Sequence, residues 1–274
     1  MSLPLPPTLH FPTLSRLLVS FLREETTRVG YQKAVVGLSG GIDSAVVAAL
    51  MVQAFGSENC LGVMLPYRGS SPASEADARL VADAIHLPVT RIEITPMADG
   101  YISDEMSALR KGNLFARLRM AVLFDIAMRE QALVIGTSNK TEILLGYSTW
   151  FGDGAWSLGP IGDLYKCQIV ALAKQLNLPP VIWEKPPTAD LWDGQTDENE
   201  LGFSYDDADR YLYHRVDLRL SMDELIQSGF PAAIAKSIER RIATSHYKRV
   251  SPPIAKIQNR SVGTDFLYAR DAGS

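Results

Sequence analysis

Apolar residues along this chain change spacing from one segment to the next. Short continuous runs at 33–38, 60–65, 89–94 and 132–136 have the length of buried strands. Helical spacing fills 43–55 and 73–86 between the first three, and a longer helical region, 97–130, precedes the fourth. Ahead of them, 13–29 carries Leu14, Leu17, Leu18, Phe21 and Leu22 at helical intervals. Buried strands alternating with helices predict an α/β fold, a Rossmann-like doubly wound parallel sheet covered on both faces. Crossovers in such a sheet are right-handed, and ligands bind beyond the carboxyl ends of its strands. The loops after positions 37, 65, 94 and 136 are therefore the ones to watch.

Two further helical stretches, 204–215 and 221–246, follow as C-terminal additions, and 247–274 reads as mostly irregular. Residues 1–274 read as one domain, with 1–32 forming a Pro-rich arm and a helix. The polar stretch 183–203, rich in Pro, Gly and acids, has the length of a mobile lid loop.

The loop after the first strand carries the strongest chemical signal. Val35-Val36-Gly37-Leu38-Ser39-Gly40-Gly41-Ile42-Asp43-Ser44 runs from a strand through paired glycines into an apolar helix. Adjacent glycines let backbone N–H groups converge, and the helix adds the positive end of its dipole. The product is a phosphate site. It is not the common P-loop, because no Lys-Ser/Thr follows the glycines. Asp43 stands there instead, and an acid beside phosphates implies an intervening cation, most simply magnesium. The plainer reading is a tight turn with Asp43 and Ser44 as capping residues.

Composition narrows the classes. Of 274 residues, 46% are apolar, enough for a substantial core. A net charge of −4 supplies no global attraction to nucleic acid. No apolar run is long enough to span a membrane and no secretory leader is visible, so the expectation is a cytoplasmic protein. The two cysteines, Cys60 and Cys167, belong to no CxxC pair and read as core or incidental thiols.

After the fourth strand comes Gly136-Thr137-Ser138-Asn139-Lys140-Thr141-Glu142. Glu142 falls early in the next helix, at the same end of the sheet as Asp43, and the two could form a magnesium pair. As a charge at a helix N-terminus, Glu142 also has a purely structural explanation.

The Ser39–Ser44 loop resembles the SGGxDS loop of the pyrophosphatase-loop enzymes, which cleave ATP between its α- and β-phosphates. The remaining motifs resemble one branch, the ammonia-dependent NAD synthetases. They are Gly112-Asn113-Leu114-Phe115-Ala116-Arg117-Leu118-Arg119-Met120, the Gly136–Glu142 segment, Gly146-Tyr147-Ser148-Thr149, Phe151-Gly152-Asp153-Gly154 and Pro160-Ile161-Gly162-Asp163-Leu164-Tyr165-Lys166. Pro187-Thr188-Ala189-Asp190-Leu191, Asp197-Glu198-Asn199-Glu200-Leu201-Gly202 and Tyr205-Asp206 match the family's mobile loop. The resemblance runs from about residue 33 to residue 256.

That resemblance implies an adenine nucleotide alpha-hydrolase-like fold and a ligase that amidates deamido-NAD with ammonia. ATP is the co-substrate, magnesium the cofactor, and an acyl-adenylate the intermediate. Gly37, Leu38, Ser39, Gly40, Gly41, Ile42, Asp43 and Ser44 would hold the pyrophosphate. Thr137, Lys166 and Thr188 match ATP contacts, and Asp43 and Glu142 match metal ligands. Arg117, Trp150, Ser157, Tyr247 and Lys248 fall at positions that bind the dinucleotide. Asp43, Lys166 and Asp153 would be catalytic, with Asp153 or Asp190 deprotonating ammonia. On its own pattern, Lys166 also reads as a solvated helix lysine.

Four positions depart from the commonest family pattern: Phe115 and Trp150 replace lysines, Ser157 replaces an aspartate, and Tyr247 replaces the histidine of a His-Lys pair of which Lys248 is kept. The loss of an opposed Lys and Asp looks coordinated, and an aromatic at 150 could stack on a pyridine ring. The resemblance also implies a homodimer through the helix at 113–130. Too few residues precede Gly37 for a fused glutaminase domain, which points to free ammonia or a separate glutaminase as the nitrogen source. Two rival readings stay open: a sister ligase acting on another carboxylate, and a nucleotide-binding module without turnover.

Overall fold

The computed structural model of the chain describes residues 3–185, 188 and 196–261. Four parallel strands, β1 (Lys33–Gly37), β2 (Cys60–Met64), β3 (Val89–Arg91) and β4 (Ala132–Val134), form one sheet in the order β3-β2-β1-β4. In β1, alternate residues serve opposite faces: Ala34 and Val36 enter one core cluster and Val35 another. On the first face lie α1 (Phe11–Arg28), α2 (Ile42–Phe55), α3 (Pro72–Ala84) and α7 (Lys166–Gln175). Opposite them lie α4 (Thr95–Asp99) and α5 (Ala108–Glu130). Helix α2 is apolar all round and buried over most of its length. Its alanines and valines let it pack against β1, α1 and α7 together.

A third cluster joins α6 (Lys140–Leu145), α10 (Tyr205–Leu212), α11 (Met222–Gln227) and α12 (Ala232–Thr244) beyond the edge of the sheet. Two short helices, α8 (Pro180–Glu184) and α9 (Asp197–Leu201), stand between α7 and α10. Strand β1 neighbours β2 on one side and β4 on the other. The chain therefore proceeds away from β1 in one direction and returns on its other flank. The loops after β1 and β4 part at this switch point, where ligands of open α/β sheets bind.

Several expected boundaries shift for identifiable reasons. The region 97–130 is two helices separated by 100–107, where Ser107 caps α5 by accepting from Arg110 N–H. The run 132–136 pairs as a strand to Val134; Ile135 still donates its N–H to Val35 O at 2.9 Å and also bridges to Leu158 outside the sheet. The stretch 221–246 breaks at Gly229 (φ +96°) and Pro231, and 204–215 leaves the α-form at a wide turn, Tyr213–Asp217. The end of the chain is less irregular than expected at His246–Arg249, a short helical turn.

The expected lid at 183–203 is not one loop. Trp183 and Glu184 belong to α8, and Asp197–Leu201 is helical, with acids in its first turn and Gly202 (φ +81°) closing it. Leu201 and Phe203 are buried in the third cluster, which anchors that end. Positions 186–187 and 189–195, including Asp190, lie outside the described residues, as do 262–274.

Candidate active site

The cleft at the switch point encloses about 660 Å³, within the range of small-molecule sites. One wall is the loop from β1 into α2. Gly40 has φ +78°, and a Cβ there would sit 2.1 Å from the Ser74 carbonyl oxygen of α3. Only glycine satisfies both the dihedral and the close approach. Two serine hydroxyls brace the turn: Ser39 Oγ accepts from Gly41 N–H at 3.2 Å, and Ser44 Oγ donates to Gly41 O at 2.9 Å. The first intrahelical bond of α2 is Ala45 N–H to Gly41 O. The amides of Ile42, Asp43 and Ser44 therefore form the helix's open N-terminal turn.

Three elements bring charge to the mouth of that turn. Asp43 lies in the first turn of α2, Glu142 in the first turn of α6, and Lys166 opens α7. Lys166 Nζ is 2.5 Å from Asp43 Oδ2 and 3.4 Å from Glu142 Oε1, and lies 4.9 Å over the Tyr205 ring. The lysine is buried, not the solvated residue its pattern also allowed. Burial opposes its charge, but the Asp43 and Glu142 carboxylates outweigh that and hold its pKa above the lysine range. Burial, then the nearby Asp43 charge, pushes the Glu142 carboxyl upward, against the pull of Lys166. One oxygen of each carboxylate, Asp43 Oδ2 and Glu142 Oε1, turns to the same point, where the Lys166 ammonium lies.

Buried Asp209 on α10 fixes the helices that carry these groups. It accepts from Thr141 Oγ1 at 2.5 Å and from Cys167 N–H at 2.8 Å, while Thr141 Oγ1 accepts from Lys166 N–H at 3.1 Å. The start of α6 and the start of α7 are thereby tied together. Asp197 closes another side, accepting from Tyr147 OH and Tyr205 OH, each at 3.1 Å.

Most of the expected site residues meet here. Gly37, Leu38, Ser39, Gly41, Ile42, Asp43, Ser44, Thr137, Glu142, Asp153, Lys166, Thr188 and Lys248 all line the cleft; Gly40 shapes it from behind. Asp153 accepts from Thr149 N–H at 2.7 Å, and its recess raises its pKa although solvent still reaches the side chain. Lys248 donates to Gly146 O and Ser148 O at 2.7 and 2.6 Å. Burial lowers its pKa, partly offset by Asp153.

Four expected residues do not line this cleft. Arg117 and Ser157 are exposed, and Trp150 stacks on Phe151 (4.3 Å) and meets the edge of Tyr247 (5.1 Å). Phe115 is buried against Tyr67 at 4.2 Å, which gives that departure a packing role. Reading by motif passed over Asn139, Tyr147, Asp197, Tyr205 and Asp209 as individuals. Asn139 followed three positions later by Glu142 is a capping-box signature that could have drawn attention to it.

The family model of NAD synthase matches residues 14–252. The chain belongs to the NAD synthase family. Within it, the chain is 50% identical over 260 residues to an NH3-dependent NAD synthetase of Trichlorobacter lovleyi, covering 94% of this chain and 95% of that one. Among solved structures it is similar to an NMN synthetase from Francisella tularensis, at 32% identity and TM-score 0.79, covering 92% of this chain and all of that one. It is also similar to an NH3-dependent NAD synthetase from Campylobacter jejuni, at 32% identity and TM-score 0.78, covering 91% of this chain and all of that one. The parallel α/β architecture expected from the sequence is the architecture of this family.

Proposed function

We propose that this family member is a ligase that amidates deamido-NAD with ammonia at the expense of ATP, giving NAD, AMP and pyrophosphate. The observation that carries the reading is the convergence of Asp43, Glu142 and Lys166 at the N-terminus of α2, in a chain half identical to a named ammonia-dependent synthetase.

The chemistry needs a carboxylate made electrophilic. The nicotinate carboxylate attacks the α-phosphorus, the bond to the bridging oxygen breaks, and pyrophosphate leaves. The Ser39–Ser44 turn and the α2 amides accept the charge on that leaving group, and Lys166 accompanies it as a mobile cation. Magnesium suits the chemistry of the donor set: the Asp43 and Glu142 carboxylates would supply hard oxygen ligands, to which phosphate oxygens would add. Bound by Asp43 and Glu142, it would neutralise developing phosphoryl charge. Ammonia then adds to the acyl carbon and AMP departs. The proton released from nitrogen passes to a group beside the acyl carbon, for which the Asp153 carboxylate at the cleft is suited.

Thr137 and Thr188 would contact ATP, and Arg117, Trp150, Ser157, Tyr247 and Lys248 the dinucleotide. Arg117 shares one exposed face of α5 with Ala121, Phe124 and Met128, the last 80% exposed. An apolar face of this kind suits a second copy of the chain, and a homodimer would complete the dinucleotide site across that face. The likeness to an NMN synthetase favours a second reading, amidation of the corresponding mononucleotide carboxylate.

The test is product formation by the pure chain with ATP, magnesium and ammonium, offered deamido-NAD or nicotinate mononucleotide in separate arms. Stoichiometric AMP and pyrophosphate with deamido-NAD support the first reading. Turnover with the mononucleotide alone replaces it with the second, and turnover with neither defeats both. Glutamine in place of ammonium should give nothing unless a separate glutaminase is added.

A further inference from the structure

Each carboxylate of the Asp43–Glu142 pair divides its two oxygens between two partners. Asn139 holds one oxygen of each. Its Nδ2 donates to Asp43 Oδ1 at 2.8 Å, and its backbone N–H donates to Glu142 Oε2 at 3.2 Å. Lys166 faces the other oxygen of each, Asp43 Oδ2 and Glu142 Oε1. Asn139 Oδ1 meanwhile accepts from Glu142 N–H at 3.0 Å, completing the capping box at the start of α6. The side chain is fully buried, at 0% exposure, so water does not compete for these bonds.

Helix capping alone does not explain an asparagine here. Serine, threonine or aspartate would accept the Glu142 N–H as well. Only the amide both accepts at the cap and donates an N–H to Asp43. Aspartate would set a third carboxylate against the pair, and serine is too short to reach from the cap to α2. The residue identity thus follows from the contact to Asp43, 96 positions away.

We propose that Asn139 is the positioning residue of the cation pair. By tying one oxygen of each carboxylate it turns the remaining two, Asp43 Oδ2 and Glu142 Oε1, toward the shared point where the Lys166 ammonium lies and where a bound cation would take its place. Two like charges at close range repel, and without the tie only Lys166 restrains the Asp43 carboxylate against rotation about its last torsion. The proposal rests on the reading of Asp43 and Glu142 as cation ligands.

Asn139→Ser and Asn139→Gly both suit an N-cap, and neither reaches Asp43. The full-length variants are titrated with Mn²⁺ alone, the free ion being followed by electron paramagnetic resonance. The Mg²⁺ dependence of NAD formation is measured beside it. We expect Mn²⁺ affinity to fall about tenfold or more, as for lost partners of metal ligands elsewhere, with Mg²⁺ demand rising in step. Wild-type Mn²⁺ affinity in both variants would overturn the proposal, whether or not thermal stability drops, because it would leave Asn139 a cap and nothing more. Asp43→Asn and Glu142→Gln separate the two levels. If these lose Mn²⁺ while the Asn139 variants keep it, the positioning role alone fails. If they too bind Mn²⁺ normally, the cation reading fails and the proposal with it.

Discussion

Lys166 Nζ lies 2.5 Å from Asp43 Oδ2, across 123 positions of sequence. The contact joins the N-termini of two helices on the same face of the sheet, and it places the one buried lysine among the described residues beside the loop that turns on Gly40. Asp43 and Lys166 each have an alternative structural reading taken singly. Together they form a charge cluster that folding alone gives no reason to bury.

Removing Lys166 should show this in stability as well as rate. In Lys166→Met, Asp43 and Glu142 face each other uncompensated, and breaking such a pair costs on the order of 3 kcal/mol. The expected result is a lower melting temperature that Mg²⁺ raises by more than it does in the wild type, since the ion replaces the lost charge. Equal Mg²⁺ shifts in both proteins, by scanning calorimetry, would contradict a shared cation position.

Asp43→Asn should keep the fold and lower turnover by about 100-fold or more, as expected where metal stabilisation of phosphoryl charge is lost. Steady-state rates across a Mg²⁺ series check this. Near-normal turnover at limiting Mg²⁺ would remove Asp43 from the metal site.

Gly40→Ala combines a positive φ with a collision against Ser74 O. The dihedral alone costs about 1–2 kcal/mol, and the backbone of α3 cannot yield as a side-chain tip could. KM for ATP should rise sharply while KM for ammonium changes little. An unchanged KM for ATP would mean the loop does not hold the nucleotide.

Trp150→Ala should raise KM for the dinucleotide and leave that for ATP nearly unchanged, because Trp150 packs with Phe151 and Tyr247 away from the phosphate turn. Parallel rises in both constants would instead indicate a general loosening of the 149–154 segment.

Alkaline pH should destabilise the protein. Burial pushes the Cys60 thiol up to about 12, well above the ordinary thiol range, and raises Tyr147, Tyr165, Tyr205, Tyr211 and Cys167 in the same direction. A group with a raised folded pKa binds its proton more tightly in the native state. Its contribution is whole below the unfolded pKa and is lost as pH rises through the folded one. Stability should therefore be flat for these groups below pH 9 and fall from there toward 12. Urea midpoints across that window test the sign, and iodoacetamide at pH 8 should alkylate native Cys60 far more slowly than unfolded Cys60.

The sequence by itself determined the parts whose physics is local. The apolar run of β1, the glycine turn and the apolar α2 lie within 23 consecutive positions, and each states its own conformation through run length, dihedral need or capping. The succession of strands and helices likewise implied a parallel sheet and named the end where a ligand binds. What tertiary structure decided was which distant groups share that end. Asn139 reads as a cap, and Lys166 as any helix lysine, until β4 settles beside β1 and α10 docks Asp209 onto the starts of α6 and α7. The C-terminal end of the polar 183–203 stretch is helical because Leu201 and Phe203 enter one core cluster, and its N-terminal end because Ile182 and Trp183 pack against another, which polarity along the chain does not encode. Long-range charge and burial are sums over neighbours brought together by the fold, and a linear pattern carries only the neighbours along the chain.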